Sequence, residues 1–169
     1  QICADALRIP ASQFDLVMGD TNLTADAGKT SASRQTFVSG KASQLAGERL
    51  RSKIIQLAEV SDRASIQIEG EKLIAKDETG EHLIILSDII PLENGDVLTG
   101  EGTFDPPTTP LDENGQGSPY ATYGFGAQIA EVEVDTSLGT TKVLRIAAAH
   151  DVGKTINPTQ VEGQIHGGI

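Results

Sequence analysis

The chain has 169 residues and a formal net charge of −11, with a sequence pI near 4.6. That balance argues against a nucleic-acid binder and against docking on anionic membranes, and no apolar run approaches the length of a transmembrane helix. Aromatic residues make up only 4% and Trp is absent, so the core is aliphatic, and the length suffices for one domain or two small lobes.

Ile2 to Arg8 reads as the end of a helix stopped by Pro10. The lone cysteine, Cys3, lies in it; one cysteine excludes an internal disulfide framework and a cysteine-only metal or iron–sulfur cage, and fits a cytosolic protein. Phe14 to Met18 is short, apolar and bounded by turn residues, which predicts a buried strand. A helix is expected from about Ser33 to Glu59, with Leu45, Leu50, Ile54, Ile55 and Leu57 at apolar spacing and Glu48, Arg49, Arg51 and Lys53 between them on an exposed face.

From Ser65 the period changes to two. Ser65–Glu69 and Lys72–Lys76 read as strands around a Gly70-Glu71 turn, with a second turn at Asp77–Gly80. His82 to Leu86 reads as a third strand or as the approach to a helix, and Ser87-Asp88 can cap one helical turn before Pro91. Val97 to Phe104 predicts another strand. Asp105 to Pro119 is a loop, because its prolines and glycines forbid regular structure. Tyr123–Asp135 alternates, turns at Thr136–Gly139 and pairs with Thr141–Ala149, the more apolar and therefore more buried partner. Asp151 is expected to cap the turn that follows, although an acid or base role is also open to it. Asn157-Pro158 starts a final helix that carries Gly163, Gly167 and Gly168; glycines cost a helix stability, so close packing or a close ligand should explain them. The fold class that follows is α+β: a small mixed or antiparallel sheet with a β-hairpin and flanking helices.

The stretch that organises the chain is Gly19–Ala42, GDTNLTADAGKTSASRQTFVSGKA, dense in small and hydroxyl residues. A small-residue loop opening a helix N-terminus can cradle an anion, because free N–H groups and the helix dipole point the same way. A solvated loop with a helix cap accounts for the same residues. Lys29-Thr30 lacks the glycine spacing of a Walker motif.

The ordered series GDTNLTADAGKTSASRQTFVSGKA, a meander, then YGFGAQIAEVEVDTSLGTTKVLRIAAAHDVGKTINPTQVEGQIHGG resembles the molybdenum-binding subunit of the xanthine dehydrogenase/aldehyde oxidase family over nearly the whole chain. The resemblance implies a domain-sized piece, residues 1–169, of the molybdopterin-binding domain, incomplete at both ends. It implies a molybdopterin dinucleotide, commonly the cytosine form, and hydroxylation of an N-heterocycle or aldehyde with water. It also implies partner subunits that hold iron–sulfur clusters and FAD, and a cytoplasmic location.

The family's Thr-Ser-Gly/Ala-Ser-Arg loop matches Thr30, Ser31, Ala32, Ser33 and Arg34, so Thr30, Ser33 and neighbouring backbone would bind the dinucleotide and Ala32 would lie near the metal centre. Gln35 stands where the family often has Ser. Gly-Gln-x-x-Gly-Gly matches Gly163, Gln164, Gly167 and Gly168, with Gln164 hydrogen-bonding the cofactor. Arg34 can pair with phosphate or with a neighbouring carboxylate. His166 reads as packing or a supporting donor rather than a metal ligand, since the cofactor's own dithiolene sulfurs hold the metal. The family's catalytic glutamate lies in a segment beyond Ile169, and Glu162 does not match it. No catalytic or metal-ligating residue is therefore assigned, and the chain alone is expected to be inactive. The alternative is a non-catalytic assembly module or split subunit that completes a cofactor-binding partner, or one that forms homo-oligomers through its ends.

Overall fold

The computed structural model describes residues 1–169, and they divide into two compact units, Gln1–Pro106 and Pro107–Ile169. The architecture is α+β, with three α-helices and two small antiparallel sheets.

In the first unit, α1 (Ile2–Leu7) ends where Arg8 turns left-handed at φ 60, and Pro10 forbids its continuation. The 24-residue α2 (Gln35–Ala58) ends the same way at Glu59. It starts two residues later than the sequence predicts because Ala32 and Ser33 hold positive φ, 59 and 51, which no α-helix accommodates. Strands β1 (Ser65–Glu69), β2 (Lys72–Asp77) and β3 (Gly80–Ile85) form an antiparallel meander in that order. A single 3-10 turn, Leu86–Asp88, follows. Leu7, Ile9, Ile54, Ala58, Ile66, Leu73 and Ala75 are buried together between the helices and this sheet.

α2 carries small residues on two sides. A Cβ at Gly47 would stand 2.8 Å from the Cys3 carbonyl oxygen, so α1 crosses there at backbone distance. Elsewhere on the helix, Gly100 and Gly102 lie against Ala42, Ala46 and Leu50. Residues 97–104 therefore form no strand, contrary to the expectation from the sequence. The segment runs antiparallel to α2, with Phe104 edge-on to Phe37 at 5.3 Å, and Arg49 and Lys53 donate to the Glu101 and Thr99 carbonyls, each at 2.7 Å. Its glycines serve close approach to a helix, and its carbonyls are satisfied by side chains instead of a neighbouring strand.

Two further expectations fail in this unit. Phe14–Met18 is neither strand nor buried, with Leu16 77% exposed; the β1-β2-β3 and β4-β5 ladders are built without it, and an apolar run becomes a strand only beside a partner. Arg51 is buried, not exposed.

In the second unit, β4 (Phe125–Asp135) and β5 (Thr140–Asp151) pair as a long hairpin with a bulge at Glu131/Val132. β5 is exposed along its whole length. Its apolar side chains point to both faces, and the unit has no third layer to cover either. α3 (Pro158–Gly168) follows, with Pro158 in its first turn and the Asn157 side chain accepting from the Gln160 N–H at 3.2 Å.

Candidate functional site

The 19–34 loop is shaped by short-range hydrogen bonds. The Asp20 carboxylate accepts from the Asn22 N–H at 2.9 Å, and Asp26 from the Gly28 N–H at 2.8 Å. These turns deliver the chain, without regular structure from Asp26 to Ser31, to the left-handed pair Ala32–Ser33. Two consecutive non-glycine residues in that region are costly and mark a constrained site.

Arg34 is the N-cap of α2, and no side chain caps the helix. The first helical acceptor is the Arg34 carbonyl, taken by the Val38 N–H at 2.9 Å. The N–H groups of Gln35, Thr36 and Phe37 consequently lack helical acceptors. Thr30, Ala32, Ser33 and Arg34 are exposed beside them, and Ser31 is half-buried. This is a cluster of backbone donors at the positive end of a long helix, next to hydroxyls and one guanidinium. Its chemistry suits a phosphate-bearing ligand.

A contact that sequence reasoning missed ties this corner together. Gln35 Nε2 donates to Thr30 Oγ1 at 3.1 Å, and Ser39 Oγ donates to Gln35 Oε1 at 3.0 Å. The i, i+4 spacing of Gln35 and Ser39 is the only signal the sequence offers for it.

In the second unit, Gly163 and Gln164 are exposed on α3, as is Gly167. Apart from the backbone of α3 itself and the adjoining residues, no atom lies within 4 Å of a Cβ built at Gly163, Gly167 or Gly168. Close packing inside the chain does not account for these glycines, so they leave a smooth backbone face with Gln164 beside it. Asp151 caps its turn as the sequence indicates, accepting from the Gly153 N–H at 3.0 Å. His166 is exposed in the last turn of α3. No group of three His, Cys, Asp or Glu side chains assembles that could hold a metal ion. Thr30–Arg34 and Gly163–Gly167 fall in different units.

The family described as the molybdopterin cofactor-binding domain matches residues 1–169. The chain is 31% identical over 182 residues to the carbon monoxide dehydrogenase large chain of Hydrogenophaga pseudoflava, covering 100% of this chain and 21% of that protein. It is 28% identical over 179 residues to a putative xanthine dehydrogenase molybdenum-binding subunit of Escherichia coli, covering 100% and 22%. It is 28% identical over 170 residues to the gamma subunit of the 6-hydroxypseudooxynicotine dehydrogenase complex of Paenarthrobacter nicotinovorans, covering 99% and 21%. The chain thus spans about a fifth of the length of these curated relatives.

Proposed function

Because this chain belongs to the molybdopterin cofactor-binding domain family, we propose that it is part of the cofactor-holding wall of a molybdenum hydroxylase subunit. The observation that carries the reading is the uncapped N-terminus of α2 behind the left-handed Ala32–Ser33 pair. Free N–H groups, small side chains and a nearby guanidinium meet the needs of a pyrophosphate: donors without bulk.

In this proposal Thr30, Ser31, Ser33 and Arg34 hold phosphate oxygens, Ala32 keeps the approach to the metal centre narrow, and Gly163, Gln164 and Gly167 supply backbone access and one amide donor. When bound, the cofactor supplies the redox centre at which an N-heterocycle or aldehyde is hydroxylated with oxygen from water. This chain's residues bind and orient; none is assigned the proton transfer. The dinucleotide is the cytosine form, and the electrons leave through partner subunits that carry iron–sulfur clusters and FAD, in the cytoplasm. The rest of the molybdenum subunit covers the apolar hairpin, which finds no cover in its own unit.

The test uses the subunit that contains this chain, purified from a host that makes the cofactor. Elemental mass spectrometry should find near-stoichiometric molybdenum, and hydrolysis should release a cytidine nucleotide. Arg34→Ala and Gln164→Ala should each raise the cofactor's dissociation constant by about tenfold, the worth of one charge-assisted or buried hydrogen bond, so that each variant loses molybdenum on dilution that the parent keeps. Full occupancy in both variants overturns the residue assignments, and turnover by the 169-residue chain alone overturns its role as one wall of a larger site.

A further inference from the structure

The tripeptide Glu-Asn-Gly occurs twice, at Glu93–Gly95 and Glu113–Gly115, and the backbone folds the two copies alike. In the first, the Leu92 N–H donates to the Asp96 carbonyl at 2.7 Å and the Gly95 N–H to the Leu92 carbonyl at 2.9 Å. In the second, the Asp112 N–H donates to the Gln116 carbonyl at 2.8 Å and the Gly115 N–H to the Asp112 carbonyl at 3.0 Å. Both glycines hold positive φ, 89 and 72, and both asparagines are exposed.

The side chains differ. Asn94 is held at both ends by Asp96: Nδ2 donates to the carboxylate at 2.6 Å, and Oδ1 accepts from the Asp96 N–H at 3.1 Å. An ionised carboxylate only accepts and an N–H only donates, so this carboxamide has one orientation. In the second copy Gln116 stands where Asp96 does. Its N–H goes to Asp112 Oδ1 at 2.8 Å, and its Nε2 to the main-chain carbonyl of Asn114 at 3.4 Å. Asn114 is bonded through its backbone, and its carboxamide is left without a partner.

We propose that Asn114 is a site of spontaneous deamidation, and that the fold withholds the same reaction from Asn94. The Gly115 nitrogen gives its proton to water and bonds to Asn114 Cγ. The Cγ–Nδ2 bond breaks, and Nδ2 leaves as ammonia with a proton from water. Water then opens the cyclic imide at either carbonyl, giving aspartate or isoaspartate, and nothing is oxidised or reduced. Glycine suits this attack because no Cβ crowds the nitrogen. Each glycine N–H must leave its carbonyl, a cost the two copies share. Asn94 must also let go of Asp96, and those two bonds together slow it by about tenfold. The product adds one negative charge beside Asp112 and Glu113, in a chain already at −11. Its isoaspartate form lengthens the main chain inside the ring that Asp112 and Gln116 close.

The experiment incubates the 169-residue chain in mildly alkaline buffer and cuts it after Glu93 and Glu113 with a glutamyl endopeptidase. Mass spectrometry then reads the gain of one mass unit at each asparagine. Asn114 should convert about tenfold faster than Asn94. Asp96→Ala should speed Asn94 several-fold and leave Asn114 unchanged. In urea the two rates should converge.

Equal rates in the folded chain overturn the proposal, and so does an Asn114 that stays intact while the urea-unfolded chain converts. A gap that persists in urea assigns the protection of Asn94 to the residue after its glycine and overturns the role of the fold. An unchanged Asn94 rate in Asp96→Ala overturns the part given to the carboxylate.

Discussion

Arg51 stands among Glu48, Arg49 and Lys53, and sequence periodicity places all four on a wet face. The structure buries Arg51 to 7% exposure and gives it three backbone carbonyls, Leu7 at 3.2 Å, Asp62 at 3.1 Å and Ala64 at 2.6 Å. One guanidinium thereby satisfies the end of α1 and the exit of α2 together. Burial, then the charge of Arg8, pushes its pKa down, and Asp62 opposes that. Arg51→Ala should destabilise the first unit by about 3 kcal/mol, because it orphans buried carbonyls; urea unfolding followed by circular dichroism checks it, and an unchanged midpoint refutes it. Nothing in the sequence distinguishes this arginine from Arg49, since the signal lies in the carbonyls of distant residues. Asp77 shows another hidden tie. Its carboxylate accepts from the Thr79 hydroxyl at 2.6 Å and from the N–H groups of Ser61 and Thr79 at 2.7 and 2.8 Å. These bonds, the hydroxyl first, hold its pKa well below the usual carboxylate range, with His82 adding a small pull in the same direction. A depressed folded pKa stabilises the fold above the unfolded value, and that contribution is lost as pH falls through the folded one. The stability gap between the parent chain and Asp77→Asn should be full near neutral pH and shrink below about pH 4, the ordinary aspartate value. A gap that stays constant on acidification rules the linkage out.

At the scale of elements, periodicity located α2, the β1–β3 meander and the β4–β5 hairpin, because each repeats its pattern long enough to stand above local noise, and the Asn157-Pro158 start signal located α3. The strand expected at Val97–Phe104 does not form, and Gly100 and Gly102 serve contact with a helix rather than a pleat. Close approach of backbone to backbone leaves only the glycines as its trace, and the partner cannot be read from them. Glycine substitutions separate the two uses of this residue. Gly47→Ala gains about 1 kcal/mol of helix propensity but drives a Cβ to 2.9 Å from the Ala6 Cβ and 2.8 Å from the Cys3 oxygen. Overpacking of about 1–3 kcal/mol should prevail, so thermal unfolding of the first unit should move down; a rise would mean that α1 yields freely. Gly163→Ala meets nothing within 4 Å and should raise the helicity of α3 in the chain alone, by about 1 kcal/mol of propensity. In the proposed parent subunit the same change should lower molybdenum occupancy. Gains in both would leave the α3 glycines without a ligand to explain them.

For the whole molecule, the hairpin poses the sharpest question. Near its open end one face is apolar apart from Asp151, with Phe125, Ala127, Ile129, Ala147 and Ala149, while the other sets Ala130, Ile146 and Ala148 beside Gln128 and His150, so apolar side chains stand on both faces there. Toward the turn one face becomes charged, with Glu131 opposite Arg145 and Glu133 opposite Lys142. Such a pattern belongs to strands covered on two sides at one end and on one side at the other. Yet no residue of the second unit is buried, and Ile129 is 74% exposed. The apolar pattern of these strands calls for burial that their own unit does not supply. A two-stranded hairpin without a packed face is marginal in water. In the 169-residue chain, amides of β4 and β5 should therefore exchange orders of magnitude faster than those around Ile54 and Leu73, which lie in the core of the first unit. In the proposed parent subunit, where further polypeptide covers the hairpin, the same amides should become as slow as the core. Slow exchange in the chain alone would show that the hairpin is stable uncovered and would remove the need for cover. Fast exchange in both would mean that the surrounding subunit does not pack on it.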